Sequence, residues 1–187
     1  MSEIVSSENK YSDHKKSYYS LSYSFSDDPD DTYTIVDIIR EKEFYNLLFQ
    51  LNADIIKEYN VVNKEDNYKE NVLVTIDIGN DDPDGGEIFD EGEEMKLKMV
   101  TETNIISKNV AELNSIKCSQ DKCTEDDTVV VIDDVNIIFN RNNGVVKLDI
   151  KYSVEYETFE YMKEFINMFI KKLFHRLVTY FDDSLCA

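Results

Sequence analysis

The stretch VNIIFNRNNGVVKLDIKYSVEY, residues 135–156, decides the fold of this chain. Its Asn143-Gly144 pair separates two apolar segments, and Asn-Gly is the strongest short signal for a β-hairpin because both residues tolerate positive φ. In the second arm every second residue from Val146 to Tyr156 is apolar, and most of the residues between them are polar. We therefore predict two antiparallel strands with one buried face and one solvated face.

The segment after the hairpin has helical periodicity. Apolar residues recur at steps of three or four from Phe159 to Phe181. Thr158 is the predicted N-cap, and Glu160 suits the positive end of the helix dipole. The pattern predicts a long helix over residues 158–181, whose broad apolar stripe has to be buried against the sheet.

Upstream of the hairpin, alternating apolar and polar residues predict further strands over residues 17–25, 72–78 and 95–99. Aspartates and Pro29 end the first of these strands with turn-forming residues.

Two more helices are predicted between these strands. Residues 36–59 carry apolar side chains at steps of three or four, which predicts an amphipathic helix of about five or six turns. Asp37 is the predicted cap of this helix. A short helix is also predicted around residues 108–116.

Together these elements predict an α+β fold, with an antiparallel sheet of about five to seven strands packed on a long C-terminal helix and one further helix after the first strand. Across residues 17–181 this order resembles the helix-grip fold, the family of plant pathogenesis-related and lipid-transfer (START-like) domains. The resemblance implies a carrier with an apolar cavity between the sheet and the last helix, to which a solid core is the alternative. Two-layer sandwiches with other strand orders remain open.

Charge is the unusual feature of the composition. The chain of 187 residues has 39 acidic and 20 basic residues, a formal net charge of -19. Such a field repels nucleic acid and anionic lipid, which argues against direct binding to either. With 12 Tyr and 10 Phe the chain has ample material for a core. We expect a flexible leader over residues 1–16 and a single acidic domain over residues 17–187.

The sequence shows no signal for export or for a membrane. The N-terminus lacks a basic region followed by an apolar run, and no stretch approaches the roughly 20 apolar residues that cross a bilayer. Three cysteines are an odd number for a disulfide framework. We expect an intracellular protein of the cytoplasm or nucleus, with a virus particle as the alternative.

The net charge is unevenly distributed along the chain. Residues 17–157 carry all of it, because the leader is neutral and the mildly basic last helix is balanced by Asp182 and Asp183 after it. We predict that acidic loops form an interaction face for a basic protein partner, with nucleic-acid mimicry as the extreme form. The predicted face consists of Asp27, Asp28, Asp30, Asp31, Asp81, Asp82, Asp84, Glu87, Asp90, Glu91, Glu93, Glu94, Glu125, Asp126 and Asp127. The alternatives are an assembly component of a virus particle or larger complex, self-association, and a helix-grip-like carrier of an apolar ligand.

Residues 80–91 nearly match the calcium loop Asp-x-Asp-x-Asp-Gly-x5-Glu, with Asn80, Asp82, Asp84 and Glu91 as its candidate ligands. Asn80 replaces the first Asp, and the loop follows a strand rather than a helix. We therefore favour a solvated hairpin loop and predict no metal.

A zinc site and an active site are also not expected. Cys118 and Cys123 are separated by four residues, but a structural zinc needs about four ligands, and Cys186, His14 and His175 are scattered along the chain. The sequence has neither a Gly-rich phosphate loop nor a Gly-x-Ser-x-Gly elbow. We expect a non-enzymatic protein without a cofactor.

Overall fold

The computed structural model describes residues 7–12, 16–28, 30, 32–63, 69–77, 94–116, 129–155 and 160–186. The strands in these ranges are β1 (Ser7–Ser12), β2 (Lys16–Ser26), β3 (Ile56–Asn63), β4 (Lys69–Asp77), β5 (Glu94–Ser107), β6 (Val110–Ser115), β7 (Val129–Asn142) and β8 (Val145–Glu155). The helices are α1 (Ile35–Arg40), α2 (Phe44–Gln50) and α3 (Glu160–Cys186). No helix in the described ranges is long and apolar enough to cross a membrane.

The strands form one sheet in the order β1-β2-β8-β7-β6-β5-β4-β3. Neighbours in this order are antiparallel. Beyond the end of β6, residues 96–98 of β5 also pair in parallel with residues 129–131 of β7. The predicted α+β class, antiparallel sheet and long C-terminal helix are confirmed. Strands β2 to β8 fall within the predicted number, and β1 is an additional edge strand.

The hairpin of β7 and β8 forms where the sequence predicts it. Asn142 pairs with Val145, so that Asn143 and Gly144 make a two-residue turn. Both turn residues have positive φ, 50° and 76°, as the turn of a tight hairpin requires. In β8 the even-numbered residues from Val146 to Val154 are buried, which matches the predicted inner face.

Helix α3 covers this inner face. Its buried apolar residues recur from Ile166 to Phe181 and join one core cluster with residues of α1, α2 and the sheet. The stacked rings of Tyr19 and Tyr152, 5.1 Å apart, continue the inner face into β2. The apolar faces predicted for the sheet and for the last helix are thus buried against each other.

The single helix predicted over residues 36–59 is wrong. The chain forms two short helices and then β3, which begins at Ile56. Lys42, with φ at 63°, lies in the left-handed region and separates α1 from α2. Thr34, not Asp37, is the N-cap of α1. Asp37 is the N3 residue of a capping box, in which its carboxylate accepts a 2.9 Å bond from the Thr34 N–H.

The short helix predicted around residues 108–116 is also wrong, because this segment forms β6 after a turn at Lys108 and Asn109. Ala111 and Leu113 are buried, and the residues between and after them are partly exposed. This is the two-residue period of a strand.

Residues 7–12 lie within the segment predicted to be a flexible leader, and in the structure they form β1, paired along β2. Lys10 in β1 extends over the ring of Tyr19 and makes an ion pair with Glu164 of α3 at 3.0 Å. These contacts give a polar segment without apolar periodicity a defined place at the edge of the sheet.

A buried ion pair joins three parts of the fold. Asp27, which follows β2, is 1% exposed, and its Oδ1 accepts a 3.1 Å bond from Arg141 Nε in β7. Its Oδ2 accepts a 2.9 Å bond from the backbone N–H of Ile35 at the start of α1. Arg141 Nη2 also donates to the carbonyl oxygen of Asp28 at 2.7 Å. The pair therefore holds the end of β2, the start of α1 and the end of β7 together.

Replacing Arg141 tests the importance of this ion pair. Arg141→Met leaves the Asp27 carboxylate buried without its counter-charge, and we expect the free energy of unfolding to fall by about 3–5 kcal/mol. The matched control is Arg40→Met, which removes the surface pair with Asp37 and should cost less than about 1 kcal/mol. Urea denaturation measures both. A loss for Arg141→Met no larger than that for Arg40→Met would show that the buried pair is dispensable.

Candidate functional site

An apolar cavity of about 50 Å³ lies between the sheet and helices α2 and α3. Strands β4, β5, β7 and β8 contribute to its walls, as do both helices. Representative wall residues from these elements are Val74, Met99, Ile137, Tyr152, Phe49 and Phe174. The cavity is therefore placed where the two helices and the inner face of the sheet meet.

The two tyrosines in the walls have hydroxyl groups that are bonded to other residues, so the wall surface remains apolar. The Tyr45 hydroxyl forms a 2.7 Å hydrogen bond with Thr101 Oγ1 in β5. The Tyr152 hydroxyl donates to Asn167 Oδ1 of α3 at 2.7 Å. Burial also raises the pKa of Tyr45 above its usual value. Both rings can thus line an apolar cavity without leaving a hydroxyl unsatisfied.

The cavity is small for a ligand. Sites that enclose whole small molecules commonly measure roughly 300–1,000 Å³, several times its volume of about 50 Å³. A lipid-sized molecule would therefore enter only if α2 or α3 moved away from the sheet.

Besides the buried Tyr152–Asn167 bond, helix α3 has polar contacts at or near the surface. Arg176 forms an ion pair with Asp54, and its Nη2 donates to Asp54 Oδ2 at 2.8 Å. The backbone N–H of Ser26 donates to Asp182 Oδ1 at 3.2 Å. Exposed ion pairs contribute about 0–1 kcal/mol. The helix is thus held to the sheet chiefly by burial of its apolar stripe.

A buried carboxyl group lies near one end of the cavity. Glu70 occupies an inward position of β4 and is 3% exposed. Among the residues that the structure describes, no donor reaches its Oε1. Burial raises the pKa of Glu70 to about 7, and the charge of Lys42 opposes part of this increase.

The strand register connects Glu70 with the cavity. Val72 faces Met99, a wall residue, across β4 and β5, and the next inward pair along these strands is Glu70 with Thr101. Thr101 is the residue that bonds the Tyr45 hydroxyl, while the ring of Tyr45 lines the cavity. Tyr45 therefore extends from the cavity to the Glu70–Thr101 pair.

Glu70 is not among the site residues predicted from the sequence, although the sequence contains a signal for its burial. The alternation of Val72, Val74 and Ile76 continues back to Glu70 and assigns its side chain to the buried face. A carboxylate at a buried position of a strand is unusual enough to be a candidate functional residue.

Four residues of the predicted acidic face lie in the described ranges, and they are Asp27, Asp28, Asp30 and Glu94. Asp27 is buried in the ion pair with Arg141. The Thr32 hydroxyl and the backbone N–H groups of Tyr33, Asp30 and Thr32 donate hydrogen bonds to the Asp28 carboxylate and lower its pKa to about 2. These two carboxylates serve local structure.

Asp30 is exposed, and Glu94 forms an ion pair with Lys57. The remaining predicted residues lie outside the described ranges, and they are Asp31, Asp81, Asp82, Asp84, Glu87, Asp90, Glu91, Glu93, Glu125, Asp126 and Asp127.

The candidate metal residues are largely outside the described ranges as well. This applies to Asn80 and the rest of the calcium-like loop, and to Cys118, Cys123 and His14. His175 is exposed on α3. In the part of the chain that the structure describes, no three His, Cys, Asp or Glu side chains are grouped so that they could hold a metal ion.

Glu70→Gln tests the raised pKa through stability. A carboxyl whose folded pKa is about 7, against an ordinary 4.5, stabilises the fold when protonated, and this contribution is lost as pH rises from about 4.5 to 7. Each unit between the folded and unfolded pKa is worth about 1.4 kcal/mol, so the wild type should lose up to roughly 3 kcal/mol relative to Glu70→Gln. Urea denaturation at a series of pH values measures this difference. Glu102→Gln, at an exposed position of β5, should follow the wild type. A difference between wild type and Glu70→Gln that stays constant with pH would contradict the assignment.

Comparison with known proteins identifies the fold. No protein-family model matches the chain, and no curated protein matches its sequence. The human StarD13 (DLC2) lipid transfer and protein localization domain matches with a TM-score of 0.58 at 10% identity, over 95% of this chain and 90% of that chain. Human StAR-related lipid transfer protein 5 matches with a TM-score of 0.57 at 4% identity, over 96% and 88%. Human STARD10 matches with a TM-score of 0.50 at 8% identity, over 92% and 74%.

These likenesses overturn one prediction and support another. The predicted basic protein partner is wrong, because the solved structures that share the fold include domains described as lipid-transfer proteins, and because Asp27 of the predicted face is buried. The resemblance seen in the order of elements is confirmed at the level of fold. The chain has the α+β helix-grip architecture, with its sheet packed on a long C-terminal helix.

Proposed function

We propose that this chain is a non-enzymatic carrier of an apolar ligand, which it holds between the sheet and helices α2 and α3. The observation that carries the proposal is the apolar cavity at the junction of these elements. Apolar concave sites between layers are the usual places for small-molecule ligands. The lipid-transfer domains that share the fold favour a lipid-like ligand.

The wall chemistry supports carriage rather than catalysis. Of the described residues, those that line the cavity are aliphatic or aromatic, together with Met99, and they offer no histidine, cysteine or carboxylate. These are the commonest groups in general acid–base and nucleophilic catalysis. The two wall tyrosines could also serve, but their hydroxyls are bonded to Thr101 and Asn167. Desolvation of an apolar molecule is the contribution that these walls can make.

Ligand entry requires the cavity to grow, and the structure suggests how. The volume of about 50 Å³ holds only part of a lipid. Breaking the surface ion pairs of α3 costs little, so the main costs of moving this helix are exposure of its apolar stripe to water and loss of the buried Tyr152–Asn167 bond. A bound apolar molecule would replace the lost contacts and offset that cost. Uptake would thus exchange protein–protein contacts for protein–ligand contacts on the same surfaces.

Filling the cavity tests the proposal. Val74 and Val135 line it, and the double variant Val74→Ile/Val135→Ile adds two methyl groups to its walls. We expect the affinity for the neutral apolar fluorophore N-phenyl-1-naphthylamine to fall at least about tenfold, equivalent to about 1.4 kcal/mol. The free energy of unfolding should be unchanged or higher, because the added groups occupy empty space. Fluorescence titration and urea denaturation measure the two quantities.

The control is Val145→Ile, which makes the same chemical change at an exposed position beside the hairpin turn. It should bind the fluorophore like the wild type. Equal affinity in all three proteins would place the fluorophore elsewhere and refute the cavity as the carrier site.

A further inference from the structure

Glu70 presents a buried polar atom to which no residue in the described ranges is bonded. Its carboxyl group is buried, and no described residue donates a hydrogen bond to Oε1. An unsatisfied buried acceptor destabilises a fold, and more so when it is charged. An apolar residue of similar size at this position would avoid that cost. The carboxyl group is therefore a feature that stability alone does not explain.

The neighbours of Glu70 leave this acceptor available to a ligand. The hydroxyls of Tyr45 and Thr101 bond each other. Lys42 is half-buried on the connection between α1 and α2 and acts on the carboxyl group through its charge. The Tyr45 ring lines the cavity, and its hydroxyl bonds Thr101, the cross-strand neighbour of Glu70. A ligand that enlarged the cavity by displacing this ring would come next to Oε1.

We infer that Glu70 is the polar anchor for the carried ligand, and that this ligand is an apolar molecule with a hydrogen-bond donor, a hydroxyl or amino group, at one end. The inference rests on the proposed carrier function. A hydroxyl or amino group satisfies the open acceptor and forms a charge-assisted bond with the carboxylate. The carboxylate of a fatty acid brings a second negative charge against the first and is disfavoured. An ether or ester offers only acceptors and leaves Oε1 unsatisfied.

Four probes with the same dodecyl chain separate these chemistries. Dodecanol and dodecylamine each carry a donor, dodecyl methyl ether carries only an acceptor, and dodecanoate carries a negative charge. Each probe competes with N-phenyl-1-naphthylamine for the wild-type protein at about pH 8, above the Glu70 pKa of about 7. We expect dodecanol, dodecylamine or both to compete at concentrations at least about tenfold lower than the ether and dodecanoate. One good hydrogen bond accounts for a difference in affinity of this size.

Two variants at the anchor and one matched control assign the preference to Glu70. Glu70→Leu removes the acceptor and should abolish the preference while leaving ether binding unchanged. Glu70→Gln keeps a carbonyl oxygen but no charge, and it should lose the preference for dodecylamine more than that for dodecanol. Glu102→Gln alters an exposed carboxylate on the neighbouring strand and should behave like the wild type.

The outcomes distinguish this inference from the function on which it rests. If no probe displaces the fluorophore from any of the proteins, the carrier function itself fails. If the probes bind but the ether or dodecanoate competes as well as the donors, the anchor is refuted and the carrier function stands. A donor preference that persists in Glu70→Leu refutes the anchor as well.

Discussion

Alternate residues along β2, β4, β5, β7 and β8 present one apolar face, and other parts of the chain have to cover it. Eight strands spaced about 4.8 Å apart make a sheet roughly 34 Å wide, whereas a helix with its side chains is only about 10–12 Å across. Helix α3 alone cannot cover such a sheet. Helices α1 and α2 supply the additional cover, and both contribute residues to the same core cluster as α3. The arrangement of all three helices follows from this difference in width.

The cavity is a consequence of covering the sheet with separate pieces. Helices α2 and α3 are distant in sequence and meet over the middle of the sheet, where their large aromatic side chains leave space. Phe44 of α2 contacts Phe139 of the sheet and Phe174 of α3, with ring centroids 5.4 Å and 6.5 Å away. The apolar volume lies where these separate parts of the cover meet.

Long periodic segments were predictable from the sequence, and short segments were not. The β7–β8 hairpin and α3 have many repeats of one period, so their type and faces agree with the structure. Residues 36–59 have helical spacing, yet the left-handed conformation of Lys42 interrupts the helix, and no residue type at that position signals it. The buried ion pair of Asp27 and Arg141 joins residues more than one hundred positions apart. Residue type predicted that Asp27 lies on the surface, and only the tertiary fold brings Arg141 next to it.

The two edges of the sheet have a further consequence. At one edge β1 has only six residues, and at the other β3 has an irregular register between Ile56 and Glu58, next to the ion pair of Lys57 with Glu94. Short, irregular and charged edges resist the addition of a strand from a second molecule. Repulsion between copies that each carry a net charge of -19 acts in the same direction. Any opening that exposed the apolar interior would raise the risk of aggregation, and edges of this kind disfavour growth of the sheet from one molecule to the next.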